Sequence, residues 1–168
     1  MLATIAVIRT SAQPQKSDPI PAIRRDYAPI NKRAPRLRKV KKQLSGFSLE
    51  GGELTAYFDG PNVVKIVANH FGEGGGTLEE YYYRNGKLIF VYEKITHYDA
   101  PTSGRVASWS QNRYYFDNDK LIRWIDENTR TATDTSVIES KQAEYLGNSK
   151  LFTDAARSKK STVEAPPN

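Results

Sequence analysis

Glu79-Glu-Tyr-Tyr-Tyr-Arg-Asn-Gly-Lys-Leu-Ile-Phe-Val91 reads as an aromatic strand, a tight turn and an aliphatic strand. Asn85-Gly86 decides the reading. A type I′ hairpin turn needs positive φ at both central positions, and Asn followed by Gly tolerates this best. Two other stretches repeat the pattern: Leu54-Thr-Ala-Tyr-Phe-Asp-Gly-Pro-Asn-Val-Val-Lys-Ile66 and Asn112-Arg-Tyr-Tyr-Phe-Asp-Asn-Asp-Lys-Leu-Ile-Arg-Trp124. Asn118-Asp119 is a weaker version of the same turn, and Asp59-Gly60-Pro61-Asn62 predicts a longer loop. Gly72-Glu-Gly-Gly-Gly76 and Asp99-Ala-Pro-Thr-Ser-Gly104 suit the connections between hairpins. The expectation is a six-stranded antiparallel meander.

A two-residue turn fixes register. It sets Tyr83 opposite Leu88, Tyr82 opposite Ile89 and Tyr81 opposite Phe90. Alternation then puts Tyr81, Tyr83, Leu88, Phe90 and Tyr92 on one face, with Glu80, Tyr82, Ile89 and Val91 on the other. The third hairpin repeats this, with Tyr114, Phe116, Leu121 and Ile125 on the first face. Arg113, Tyr115, Ile122 and Trp124 fall on the second. Both faces are apolar near the turns, so the sheet needs two covers.

Outside the hairpins the period changes. Ile30, Leu37, Val40 and Leu44 have helical spacing among Lys and Arg, with Gly46 as a stop, which predicts a basic N-terminal helix. Pro14, Pro19, Pro21 and Pro29 predict an extended linker before it. A C-terminal helix is expected from about Thr135, with Ser136 and Glu139 as a capping box. Ile138, Tyr145 and Phe152 form its buried stripe, joined by Leu146 and Ala156. Residues 158–168 read as a disordered tail. The organisation is therefore 1–29 signal-like segment and Pro-rich linker, 30–157 a single α+β domain, and 158–168 tail.

The chain has 168 residues and no Cys, which removes disulfides and thiol chemistry. Residues 1–45 hold 11 Lys/Arg against 2 Asp/Glu, and the remainder holds 14 against 17. The basic character thus belongs to the N-terminal arm. Leu2-Ala-Thr-Ile-Ala-Val-Ile8 followed by Thr10-Ser11-Ala12 has the form of the back half of a secretory signal, with cleavage after Ala12. No apolar run reaches the roughly 18 residues of a membrane span.

The stretches Gly51 to Gly60, Glu79 to Lys94 and Arg113 to Asp126 resemble a family of uncharacterised bacterial proteins, mostly exported. The resemblance implies export and an α+β fold, and brings no activity with it. The Tyr-Tyr-x-x-Asn-Gly-Lys-Leu pattern is also similar to MORN-type hairpin repeats, which implies a protein- or lipid-binding scaffold.

The residues that could bind a ligand lie on the second face: Tyr82, Tyr115 and Trp124, with Glu80 and Arg113 beside them. Aromatic rings with a charged pair suit a peptide, glycan or partner protein. The competing reading covers this face with a helix and makes Glu80 and Arg113 a cross-strand ion pair. His70 and His97, with Glu73 or Asp99, lack the spacing of a metal site, and no metal or other cofactor is expected. The glycine-rich 72–76 stretch lacks the Lys-Ser/Thr of a phosphate loop, and no nucleophile motif is present. The expected function is non-catalytic binding, or a structural role, in the bacterial envelope or exterior (periplasmic or secreted). The alternative is a cytoplasmic, nucleic-acid-associated protein using the basic arm, although Tyr27 is the only aromatic residue within that arm.

Overall fold

The computed structural model describes residues 18–167. The elements are α1 (Ile20–Arg33), a 3-10 turn (Ala34–Arg36), β1 (Arg38–Ser45), β2 (Gly52–Asp59), β3 (Asn62–Gly72) and β4 (Gly75–Arg84). They continue with β5 (Lys87–Tyr98), β6 (Val106–Asp117), β7 (Lys120–Ile125), α2 (Thr135–Arg157) and β8 (Thr162–Glu164). All eight strands form one sheet in the order β7-β6-β5-β4-β3-β2-β1-β8. The fold is α+β, as expected. The sheet is mixed rather than a six-stranded antiparallel meander, because β1 joins the meander and β8 pairs with β1 in parallel.

The expected basic helix over 30–45 is a strand from Arg38 on. Val40, Lys42 and Leu44 alternate onto one face, where Lys42 and Leu44 are buried. Lys42 buries its stem and extends its ammonium to the carbonyls of Ser158 and Lys160. A charged residue in an inward position hides the period of two. The prolines expected to exclude a helix instead help to start one. Pro19 caps α1 and Pro21 lies in its first turn, where no N–H is needed. Asp18 Oδ1 accepts from the Ile20 N–H at 3.0 Å. Ile20, Ile23 and Ile30 then form a buried stripe, and Tyr27 packs beside it. Helix α2 carries the expected stripe, with Tyr145, Phe152 and Ala156 buried. Its cap is Asp134, not Ser136: Asp134 Oδ1 accepts from the N–H groups of Ser136 and Val137. The tail is not wholly irregular either, since Val163 is buried in β8.

All three hairpins turn through two residues. Asn85 and Gly86 have φ of 51° and 77°, and Asn118 and Asp119 have 49° and 62°, the signature of type I′ turns. The longer loop expected at Asp59 to Asn62 is also a two-residue turn, with Asp59 paired to Asn62 and Gly60 at φ 59°. Each hairpin carries a β-bulge at the same step beyond its turn. Phe58 pairs Val63 but Tyr57 pairs Lys65; Tyr83 pairs Leu88 but Tyr82 pairs Phe90; Phe116 pairs Leu121 but Tyr115 pairs Arg123. Val64, Ile89 and Ile122 are the extra residues. Beyond each bulge the second strand is rotated relative to expectation. Phe90 and Ile125 therefore belong to the cluster under α1, while Val91 and Trp124 pack on the α2 side.

The two covers the sheet needs are the two helices, one on each face. Helix α1 crosses the strands along a single register row. From its N-terminal to its C-terminal end, Asp18 meets Arg123, Arg24 meets Tyr115, Tyr27 meets Phe90 and Tyr82, and Asn31 meets Lys65. Arg123, Tyr115, Phe90, Tyr82 and Lys65 are successive cross-strand partners. Among the described residues no helix is long and apolar enough to cross a membrane.

Candidate functional site

Register and packing separate the five residues expected to form a site. Tyr82 and Tyr115 lie beneath α1 with 1% of their surface exposed. Tyr82 donates its hydroxyl proton to Glu80 Oε2 at 2.5 Å. The Lys65 ammonium donates to Glu80 Oε1 and to Asn31 Oδ1, both at 2.8 Å. This network ties α1 to β3 and β4. Arg24 Nε donates to the Tyr115 hydroxyl at 3.3 Å. Glu80 and Arg113 are not an ion pair, because Tyr92 of β5 stands between them in register. Trp124 lies on the opposite face, 5.2 Å from the Tyr114 ring centre, and donates its indole N–H to Asn112 Oδ1 at 2.9 Å. Tyr82 and Tyr115 are core, and Glu80, through Lys65 and Asn31, fastens α1 to the sheet.

The α2 face holds a feature the sequence did not announce. Glu79 and Glu93 are direct cross-strand partners, each 5% exposed. Glu93 accepts from Asn112 Nδ2 at 2.8 Å, from the Tyr145 hydroxyl at 2.8 Å and from the Tyr114 hydroxyl at 3.2 Å. Glu79 accepts from the Tyr81 hydroxyl at 2.6 Å, and His70 Nε2 lies 3.4 Å away. Burial, and then the charges of these carboxylates, hold the Tyr81 and Tyr114 hydroxyls well above the ordinary phenol range, and burial, then Tyr114 and then both carboxylates do the same for Tyr145. Helix α2 closes over this cluster, which reads as an internal hydrogen-bond network. His97 is exposed on β5, and Asp99 is taken by Arg105.

The accessible surface lies farther along the α1 face. A helix about 10 Å wide laid across strands covers about three residues of each, at roughly 3.3 Å per residue. Strands β5 and β6 are 12 residues long. They therefore outrun α1, and the far ends of β3, β4, β5 and β6 carry Phe71, Gly76, Thr96 and Trp109 in one register row. Phe71 is 44% exposed and Trp109 53%. The adjacent row holds Asn69, Leu78, Lys94 and Gln111, all half-buried. A shallow cleft of about 290 Å³ runs past Asn69, Phe71, Gly76, Leu78 and Thr96. The Lys94 ammonium lies 5.6 Å from the Trp109 ring centre. Among the described residues, neither Lys94 nor Arg113 has a carboxylate within ion-pair distance. Strand length against helix width was the signal that could have found this surface.

A second surface is basic. Arg36, Arg38, Lys39 and Lys41 are exposed at the end of α1 and along β1. Strand β8 pairs only with Gln43 to Ser45, so among the described residues no strand lies beyond the rest of β1. The signal-like stretch Leu2 to Ala12 lies outside the described residues. In comparison with known proteins, this chain matches no family model, no curated protein and no solved structure, so neither the exported-family nor the MORN resemblance gains support.

Proposed function

We propose that the chain is a non-catalytic binding module of the bacterial envelope or exterior whose ligand lies on the open half of the α1 face. The carrying observation is the row Phe71–Gly76–Thr96–Trp109, in which two large rings stand exposed beside a floor without bulky side chains. Exposed aromatics grouped on a rigid sheet favour recognition over stability, since they gain little by staying in water. The envelope assignment rests on the signal-like Leu2 to Ala12 stretch.

The two tryptophans make the test direct. Trp109 is on the proposed surface, and Trp124 is half-buried on the opposite face with its indole N–H bonded to Asn112. Titration of the labelled chain with soluble envelope polymers should move the Trp109 indole resonance and leave that of Trp124 in place. If no polymer moves Trp109 more than Trp124, the reading fails.

A nucleic-acid reading draws on one specific observation, the exposed Arg36, Arg38, Lys39 and Lys41. A truncation to Ser45 would delete α1 and β1 and so cannot test it. Neutralising Lys39 and Lys41 to Gln leaves the sheet intact. Under this reading it lowers single-strand affinity and flattens the salt dependence.

A further inference from the structure

We propose that the open half of the α1 face binds an acidic polysaccharide laid across β3 to β6. This rests on the binding reading above and adds the ligand class to it.

Shape comes first. Phe71 and Trp109 stand on β3 and β6, three strand spacings or about 14 Å apart. Between them Gly76 has no side chain, and a Cβ there would lie 3.0 Å from the His70 carbonyl oxygen. The floor is therefore held low by the backbone, which admits a flat ring between two flanking aromatics. Sugar rings present apolar C–H faces that suit such flanks.

Hydrogen bonding separates the ligand classes. Asn69 and the Thr96 hydroxyl both donate and accept, and Gln111, whose Oε1 accepts from the Tyr92 hydroxyl at 3.2 Å, adds its amide donors. Sugar hydroxyls also do both. A phosphodiester backbone only accepts, and donors alone would serve it.

Charge then selects an acidic chain. Lys94 and Arg113 occupy diagonal positions on β5 and β6, since Lys94 pairs Gln111 and Tyr92 pairs Arg113. Both lack carboxylate partners among the described residues, whereas Glu80 on the same face is neutralised by Lys65. The Arg113 guanidinium can hold a carboxylate through two parallel hydrogen bonds. Lys94 places its charge beside the Trp109 ring, where the ring of an acidic sugar would stack.

The experiment compares four probes on the intact chain by gel retardation and by the Trp109 resonance. They are polygalacturonate, its methyl-esterified form, a neutral unbranched glucan and single-stranded poly(dT). Polygalacturonate should bind with an affinity that falls with added salt. The esterified polymer and the glucan should bind roughly tenfold more weakly or not at all, as expected when charge pairs are removed. Trp109→Ala should lower affinity by roughly tenfold, as for an aromatic anchor, with an unchanged urea midpoint. Lys94→Gln should weaken the salt dependence, and it keeps the proposal testable should Arg113→Gln unfold.

Equal affinity for the esterified polymer, or tighter binding of poly(dT), overturns the proposal. So does a Trp109→Ala chain that binds polygalacturonate as well as the native one. If a different polymer class moves Trp109 and polygalacturonate does not, the glycan inference fails while the binding reading stands. If nothing moves Trp109, both fail.

Discussion

Gly86 turns the second hairpin at φ 77°, and a Cβ placed there would meet no atom within 4 Å. The penalty for a larger residue is therefore conformational rather than steric. Gly86→Val should destabilise the fold by about 1–3 kcal/mol, read as a lower urea midpoint with an unchanged slope. Asp119 occupies the matching position of the third hairpin at φ 62°, and its carboxylate lies 3.7 Å from Lys87 with both groups well exposed. Such a pair contributes little. Asp119→Gly should thus be neutral or stabilising by a few tenths of a kcal/mol, and a clear loss of stability would count against the turn assignment. Glu93 is the opposite kind of residue, buried and accepting three hydrogen bonds. Glu93→Ala should cost about 1–3 kcal/mol or more, because the Tyr145, Tyr114 and Asn112 donors lose their acceptor. The turns were legible because their chemistry is local. Glu93 was not, since nothing in Tyr92-Glu93-Lys94 says that Asn112 and Tyr145 will converge on it.

The recurring bulge decides which side chains each hairpin presents to each helix. Deleting Ile122, the extra residue of the third hairpin, should remove the bulge and keep the pairs beyond it, Tyr115 with Arg123 and Tyr114 with Trp124. The local twist that the bulge adds is then lost, so the deletion should destabilise more than Ile122→Ala, whose side chain is about one-third exposed. Comparable melts for the two variants would show that the bulge has no role. Each turn is followed by two aliphatics in a row: Val63-Val64, Leu88-Ile89 and Leu121-Ile122. That doublet is the trace of the bulge. It stayed ambiguous because both faces are covered, so either side would welcome an apolar residue. Helix α1 was hidden differently. Its prolines sit at the start, where they are tolerated, and Pro29 alone lies in the interior. Val40, Lys42 and Leu44 put a charge into an alternating pattern, and only the carbonyls of Ser158 and Lys160 explain how it is accommodated. The same contact predicts that removing residues 158–168 destabilises the chain, by exposing the strand edge and Leu44 and by leaving Lys42 buried without acceptors.

For the whole molecule, the buried tyrosines set a limit on pH. Burial first, and neighbouring carboxylates second, raise the Tyr81, Tyr82 and Tyr114 hydroxyls above their ordinary range; burial, then Tyr114 and then the carboxylates raise Tyr145, and burial alone raises Tyr83. A raised folded-state pKa means that above roughly pH 10 the unfolded chain releases phenolic protons that the folded chain keeps. Stability from these groups is then fully present below the ordinary phenol pKa and declines as pH climbs through the alkaline range. The steepest loss is about 1.4 kcal/mol per pH unit for each tyrosine. Against a total of about 5–15 kcal/mol, a few such groups suffice to unfold the domain. Phenolate absorbance should accordingly rise in one cooperative step that coincides with loss of the near-ultraviolet dichroism, after a smaller early rise from the exposed rings. Tyr145→Phe removes one titrating group, so its stability should fall less steeply with alkaline pH than that of the native chain, whatever its stability at neutral pH. If all ten tyrosines instead ionise smoothly near pH 10 in a protein that keeps its dichroism, the two helices do not seal the sheet faces as described.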